Sequence, residues 1–545
     1  MADQQAQIEA GRRHLHLGEW VAARDQLRAA LELGESADAL GALAMASWWL
    51  NDIEESIALQ HRAHALFKSE GRLGPAAFSA AWIGVQYFGF HANQAAAEGW
   101  LAVAQSLLSE AGPCSEMARL MVMGSAVIPD PHAAKATIKQ AAAMAKSLGD
   151  RDCELLAQAY LGNVQVSLGE IREGVTLLDE AMALCTAGEV EELWIVGLVY
   201  CAMLAACERV SDFARAEQWC SVGGFVEKYR ECLFSATCRA CYGGVLAARG
   251  HWEAAEHELL GALRTFDAGP RGQRIDALSR LAALWVRQGR PAEAARLLDG
   301  YEDHPDAALA MAALELMNGR ARQSAAILER RVAALGEPNT QAAPLLALLV
   351  EATVAAGLTA KARAVADRLS ALARLTGGRY LPGLAALAAG RVTASEGGDP
   401  RPELEAALDH LQAAEMPLEA AQARLAIAHA LVAETPDLAA SEARRALAVF
   451  ERLGAVSQAD TASALMRRLG GGGRTGPKGR APLSRRELQV LELLGLGLSN
   501  EELAARLFIS RRTAEHHVSS ILAKLELKSR AEATAYAVRQ DRVRN

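Results

Sequence analysis

Six times in the first 360 residues an Ala/Leu-rich stretch runs into a glycine and a second Ala-rich stretch follows. The copies are LHLGEWVAARDQLRAAL around Gly18, VSLGEIREGVTLLDEAMAL around Gly169, LAARGHWEAAEHELLGAL around Gly250, VRQGRPAEAARLLDG around Gly289, MNGRARQSAAILERR around Gly319 and VAAGLTAKARAVADRL around Gly357. Weaker copies break at Asn51, Ser211 and Pro436, and the steps from Ser211 to Gly250 and from Gly250 to Gly289 are both 39 residues. Recurrence at such intervals marks a helical solenoid, because one helix pair cannot bury its apolar side without stacking on the next. Hydrophobic residues make up 51% of the chain and aromatics 5%, so the apolar content is mainly Ala and Leu, both strong helix formers. Few segments alternate Val, Ile or Thr with polar residues, and the expected fold class is all-α.

About ten helix pairs are expected over residues 1–469, each ended by a residue able to take the left-handed conformation. The G-x-x-x-A-A pattern and the pair length resemble tetratricopeptide repeats. The full aromatic signature of that family is missing, and most spacings exceed its usual period of about 34. Trp20, Trp252 and Trp285 lie at breaks or inside pairs, where aromatic rings fill the interior of a solenoid. Such a body binds an effector protein or a small ligand, and its sequence does not say which.

Several classes are excluded or disfavoured. The longest uncharged apolar run, Leu193 to Cys207, is 15 residues, short of the roughly 20 that cross a bilayer. No membrane span is expected, and the N-terminus lacks the order of a secretory signal, so the expected location is cytoplasmic. The nine cysteines are expected as thiols. Cys238 and Cys241 form a C-x-x-C, which without a second ligand pair reads as two small packing residues rather than a metal or redox site. The glycine run GGGGRTGPKGR lacks the G-K-[ST] of a nucleotide loop. No catalytic residue, cofactor or metal is assigned, and the chain is not read as an enzyme.

Charge divides the chain unevenly. From residue 471 onward there are 14 Lys+Arg against 8 Asp+Glu, while the first 470 residues hold the other 43 and 57. A small basic module thus follows a large acidic body, the arrangement expected when one end binds a polyanion. Between them, residues 470–482 hold six Gly and two Pro, a flexible tether of about 20 Å r.m.s. span.

The last stretch, 483–545, carries explicit helix signals. Ser484-x-x-Glu487, Ser499-x-x-Glu502 and Ser529-x-x-Glu532 fit capping boxes. A fourth helix starts at Ser510 after a connection short enough for a helix-turn-helix. In 510–525, Ala514, Val518, Ile521, Leu522 and Leu525 make one apolar stripe, which leaves Arg511, Arg512, Thr513, Glu515, His516, His517, Ser519, Ser520 and Lys524 facing outward.

These residues resemble the LuxR/FixJ-type four-helix DNA-binding domain. The match runs through L-S-R-R-E at 483–487, G-L-S-N-E-E-L-A at 497–504, L-F-I-S-R-R-T at 507–513, H-x-x-x-I-L-x-K-L from His517 to Leu525 and K-S-R-A-E-A from Lys528 to Ala533. The resemblance implies that 510–525 is the recognition helix. Glu515, His516 and Ser519 would face base edges, and Arg511, Arg512, Thr513, His517, Lys524, Lys528 and Arg530 would hold phosphates. Glu515 has two readings, acceptance from a cytosine amino group or an ion pair with Arg511 or Arg512. Ala514 stands where the family usually has valine, and Glu526 where glycine commonly follows K-L.

The implied function is a bacterial sequence-specific transcription regulator, an activator, that binds double-stranded DNA at a two-fold promoter site as a homodimer. Its solenoid would sense the effector. The alternative is a protein-interaction scaffold in which DNA binding is auxiliary.

Overall fold

The computed structural model describes residues 2–91, 93–223, 235–268, 274–335, 339–375, 378–469, 485–507, 511–525, 527 and 529–544. It separates into two compact units, Met1–Leu469 and Gly470–Asn545. Among the described residues both are built of helices without strands.

In the first unit successive helices pair into hairpins such as Arg151–Ser167 with Ile171–Thr186 and Ser235–Ala248 with Trp252–Ala268. Twelve such pairs are described, and Val456–Arg468 covers the last of them. This is the expected tetratricopeptide-like α-solenoid, with more pairs than the sequence suggests. The pair Leu73–His91 and Gln94–Ala111 turns without a glycine, Asn93 capping the second helix through its side chain.

The breaks read from the sequence sit where backbone strain would fall on other residues. Gly18, Gly169, Gly250, Gly289, Gly319 and Gly357 have φ between +72° and +85°, and Asn51 and Ser211 are left-handed as well, at 65° and 56°. At Gly18 the glycine N–H donates to the Leu15 carbonyl (3.1 Å) and the Glu19 N–H to that of His14 (2.9 Å), so two terminal carbonyls are satisfied at once. Pro436 differs: it opens the helix Pro436–Leu453, and the left-handed residue before that region is Glu415, φ 55°. Proline cannot adopt positive φ, whereas a first helical position needs no N–H.

Small residues set the helix spacing. Gly162 and Gly174 face each other where their helices cross, and a Cβ on Gly162 would meet the Gly174 carbonyl oxygen at 2.6 Å. The solenoid also closes on itself twice. In the N-terminal turn the His16 ring nitrogen meets the Glu191 carbonyl at 2.7 Å, and Phe78 and Trp82 contact Trp194 with centroids 6.2 and 6.1 Å apart. That turn encloses a cavity of about 790 Å3 that includes Trp49, Phe78 and Trp194. Several of the charges around it are paired: Arg12 and Arg72 hold Asp38 at 2.8 and 2.6 Å, and Arg119 bridges Asp150 and Glu192. The Arg72 hydrogen bond holds the Asp38 carboxyl below the usual carboxylate range.

The tryptophans divide. Trp252 is buried in the core, whereas Trp20 is half-buried and stacks on Trp49 at 4.4 Å. Trp285 donates to Glu256 at 2.8 Å and lies under the Arg290 guanidinium. The Cys238 thiol faces Cys201 on the neighbouring helix at 3.1 Å, and no group of metal-ligating side chains converges among the described residues. The run from Leu193 continues as an 18-residue helix to Val210, long and apolar enough by composition to cross a bilayer but 67% buried inside the solenoid.

Candidate nucleic-acid interface

The second unit contains the helices Arg485–Gly495, Asn500–Leu507, Arg511–Lys524 and Arg530–Arg544. The first turns into the second through Gly497 at φ 82°. Ser499 caps the second reciprocally: the Glu502 N–H donates to its hydroxyl at 3.3 Å, while its own N–H donates to the Glu502 carboxylate at 2.7 Å. Those bonds hold the Glu502 carboxyl below its ordinary range. Ser529 accepts from the Glu532 N–H at 3.3 Å. Ser484, the Phe508–Ser510 connection, Glu526 and the 470–482 tether lie outside the described residues.

Val490, Leu491, Leu494, Leu503, Ala514, Val518, Ile521, Leu525, Ala533 and Ala537 form one buried cluster, with Leu522 partly buried against it. The stripe of the third helix is therefore its inward side. At about 100° per residue, positions 512, 515, 516 and 519 stand away from the core, and Glu515 and Ser519 are exposed there. The Ser519 hydroxyl donates to the Glu515 carbonyl at 3.0 Å.

Ser520 departs from the outward assignment. Its hydroxyl donates to the Glu487 carboxylate at 2.6 Å, and Glu487 is only 4% exposed. This bond ties the third helix to the first, and it gives the buried Glu487 a half-buried partner that a capping-box reading does not anticipate. Thr513, His517 and Lys524, spaced by three, four or seven from Ser520, share its flank; Thr513 is exposed and His517 half-buried. Among the described residues the outward surface thus has Glu515 and Ser519 exposed, with Thr513 and His517 on the flank of Ser520.

Arg530 is engaged within the domain. Its guanidinium donates to the Leu498 carbonyl and, at 2.6 Å, to Asn500 Oδ1, pinning the fourth helix to the start of the second. Thr534 adds a bond to the Leu494 carbonyl at 3.1 Å. The side chains of Arg511, Arg512, His516 and Lys524, with all of Lys528, lie outside the described residues, as does any ion pair of Glu515 with Arg511 or Arg512. Sequence patterning missed Glu487, Ser520 and Arg530 as a set. Helical period puts Ser520 about 130° from the stripe centre, on the outward side, so patterning along the third helix offered no signal for its bond to Glu487.

Residues 481–537 match the family model described as bacterial regulatory proteins, luxR family. The C-terminal unit is a LuxR-family DNA-binding domain. Over 57 residues it is 46% identical to the transcriptional regulatory protein LnrK of Bacillus subtilis (strain 168), covering 10% of this chain and 26% of that one. Over 58 residues it is 43% identical to the oxygen regulatory protein NreC of Staphylococcus haemolyticus (strain JCSC1435), covering 11% and 27%. The chain thus spans about a quarter of the length of these relatives. Among solved structures, the Cut9–Hcn1 hetero-tetramer of the APC/C matches over 98% of this chain and 96% of that chain, with 14% identity and a TM-score of 0.38. The LuxR family is one of regulators rather than an enzyme class, and its DNA-binding domain implies DNA as the partner.

Proposed function

We propose that this chain is a sequence-specific transcriptional activator that inserts the helix Arg511–Lys524 into the major groove and is controlled through its solenoid. The observation that carries the reading is the division of that helix, with Ala514, Val518 and Ile521 in the core and Glu515 and Ser519 exposed. Glu515, His516 and Ser519 read base edges. Arg511, Arg512, Thr513, His517, Lys524 and Lys528 contact phosphates, and Arg530 acts indirectly by fixing the fourth helix against the second.

The domain boundaries are a solenoid at 1–469, a tether at 470–482 and a DNA-binding module at 483–545. Two modules meet on a two-fold site, in the cytoplasm and on the nucleoid, and an effector of the solenoid sets their availability. The two closed turns with internal cavities favour a sensing body over a passive scaffold. Fluorescence anisotropy of the full chain on promoter fragments tests the reading. Arg512→Ala lowers affinity for all sequences and reduces the salt slope by about 1. His516→Ala relaxes discrimination at one base pair by about 1–3 kcal/mol. Absence of salt-dependent binding to any fragment of a promoter library overturns the assignment, and capture of a specific protein by the solenoid without effect on DNA favours the scaffold.

A further inference from the structure

The second closed turn brings helices from residue 249 onward against helices beyond 413. The Arg249 guanidinium donates to the Glu415 carboxylate at 2.5 Å and to the Ala414 and Glu415 carbonyls at 3.4 and 3.3 Å. Gly289 sits against Val456, and Phe450 shares a buried cluster with Trp252 and Leu259. The closure encloses a cavity of about 430 Å3, within the range of small-molecule sites.

One wall of this cavity is apolar, formed by Leu309, Leu316, Met317, Leu348 and Leu384. The other carries polar groups in two states. Glu351 and Gln422 are engaged by Arg391. Glu419 and Gln458 each keep one unmet acceptor: the buried Glu419 Oε2 and Gln458 Oε1 have no hydrogen-bond partner among the described residues. Glu419 is 7% exposed. Arg287 also lines the cavity and feels Glu419 electrostatically, yet no ion pair closes between them among the described residues. The Tyr380 hydroxyl shares this environment, and burial pushes it up so that it stays a donor.

A buried carboxylate oxygen without a donor and a guanidinium that closes no ion pair with it, both among the described residues lining one half-apolar chamber, leave acceptor and cation incompletely matched in an empty site. A single molecule bearing both an ammonium and a carboxylate satisfies them together. We propose that this cavity binds a free α-amino acid with an aliphatic or thioether side chain. The ammonium donates to Glu419 and Gln458, the carboxylate accepts from Arg287 and Tyr380, and the side chain lies on the leucine and methionine wall. A simple amine leaves Arg287 unmatched, and a fatty acid leaves Glu419 unmatched. The ligand would join the helix Arg274–Arg287 to Pro417–Leu431 across the closure, and its role as the effector rests on the regulatory reading above, whereas the binding itself does not.

Isothermal titration calorimetry of the full chain without DNA tests the site, using leucine, methionine, leucinamide and N-acetyl-leucine up to about 1 mM, the weak end of specific small-ligand binding. Leucine or methionine binds, and the amide and the acetylated form each bind about tenfold or more weakly, as expected for loss of one charge-assisted contact. Glu419→Gln weakens leucine by a similar factor. Arg287→Gln also weakens it, and it removes the preference over leucinamide. Circular dichroism confirms that each variant is folded, and if one is not, the other carries the test. No heat from any of the four, equal binding of N-acetyl-leucine, or unchanged leucine binding in both folded variants overturns the proposal. Because DNA is absent, each of these outcomes leaves the regulator reading standing, and failure of DNA binding leaves this site untouched.

Discussion

In the solenoid decisive contacts join residues far apart in sequence, as His16 with Glu191 and Arg249 with Glu415 do at separations of 175 and 166. Among the described residues of the DNA-binding unit, the side-chain hydrogen bond that spans most sequence, from Thr534 to Leu494, covers 40. The small unit is therefore assembled from neighbours, while the large one depends on winding back to meet itself. Local contacts form with little loop-closure entropy and long-range ones with more. The difference predicts that one substitution can open the solenoid while the DNA-binding unit stays folded. Arg249→Ala removes the donor to Glu217, Glu415 and two carbonyls at once. It should lower the stability of the solenoid by about 2–3 kcal/mol, the scale of hydrogen bonds to charged partners. In a thermal melt the solenoid transition should shift and that of the 485–544 unit should not. A common shift of both would break the contrast.

The same contrast explains what the sequence made legible. Ser499 with Glu502 and the Ala514/Val518/Ile521 stripe are patterns of three to eight residues, and each is realised in the structure. The glycine breaks are local too, since a positive φ is a property of one residue. What did not show were pairings set by tertiary geometry: Glu487 with Ser520, Arg530 with Leu498, and the cavity that joins Arg287 to Glu419. A serine on a helix surface and a glutamate three residues into another helix carry no mark of each other. Helical period gave the sector of Ser520 but could not say whether the neighbouring helix would cover it.

Ser520→Ala probes that hidden link. It leaves a carboxylate that is 4% exposed without one of its donors, a loss of about 1–2 kcal/mol for a buried group to a charged acceptor. The chemical-denaturation midpoint of the isolated LuxR-type transition should fall, and DNA affinity measured well below that midpoint should change less than in Arg512→Ala. If affinity collapses while stability holds, Ser520 is itself a DNA contact and the flank it shares with Thr513, His517 and Lys524 is drawn wrongly. Ser499→Ala, which removes a cap hydroxyl but keeps the Glu502 carboxylate on the backbone N–H, should lower the same midpoint by about 1 kcal/mol. A drop as large as that of Ser520→Ala would mean that the second helix depends on its cap more than on its buried Leu503.

The smallest effect separates the two regions by pH. Burial raises the Glu419 carboxyl above its ordinary value, with Arg287 opposing the shift less strongly. A raised carboxyl pKa means that the folded chain holds this proton more tightly than the unfolded one. Its contribution to stability is then complete below the ordinary glutamate value of 4.5 and is lost as pH rises through the higher folded value. Glutamine imitates the protonated form at every pH. The ligand-free Glu419→Gln chain should therefore match the wild type near the acid end of the range and exceed it at pH above the folded value, by on the order of 1 kcal/mol. The gain belongs to the solenoid transition alone. A variant that is less stable than the wild type at neutral pH would show that the carboxylate is ionised and paired in the empty cavity, and the unmatched acceptor on which the amino-acid site depends would not exist.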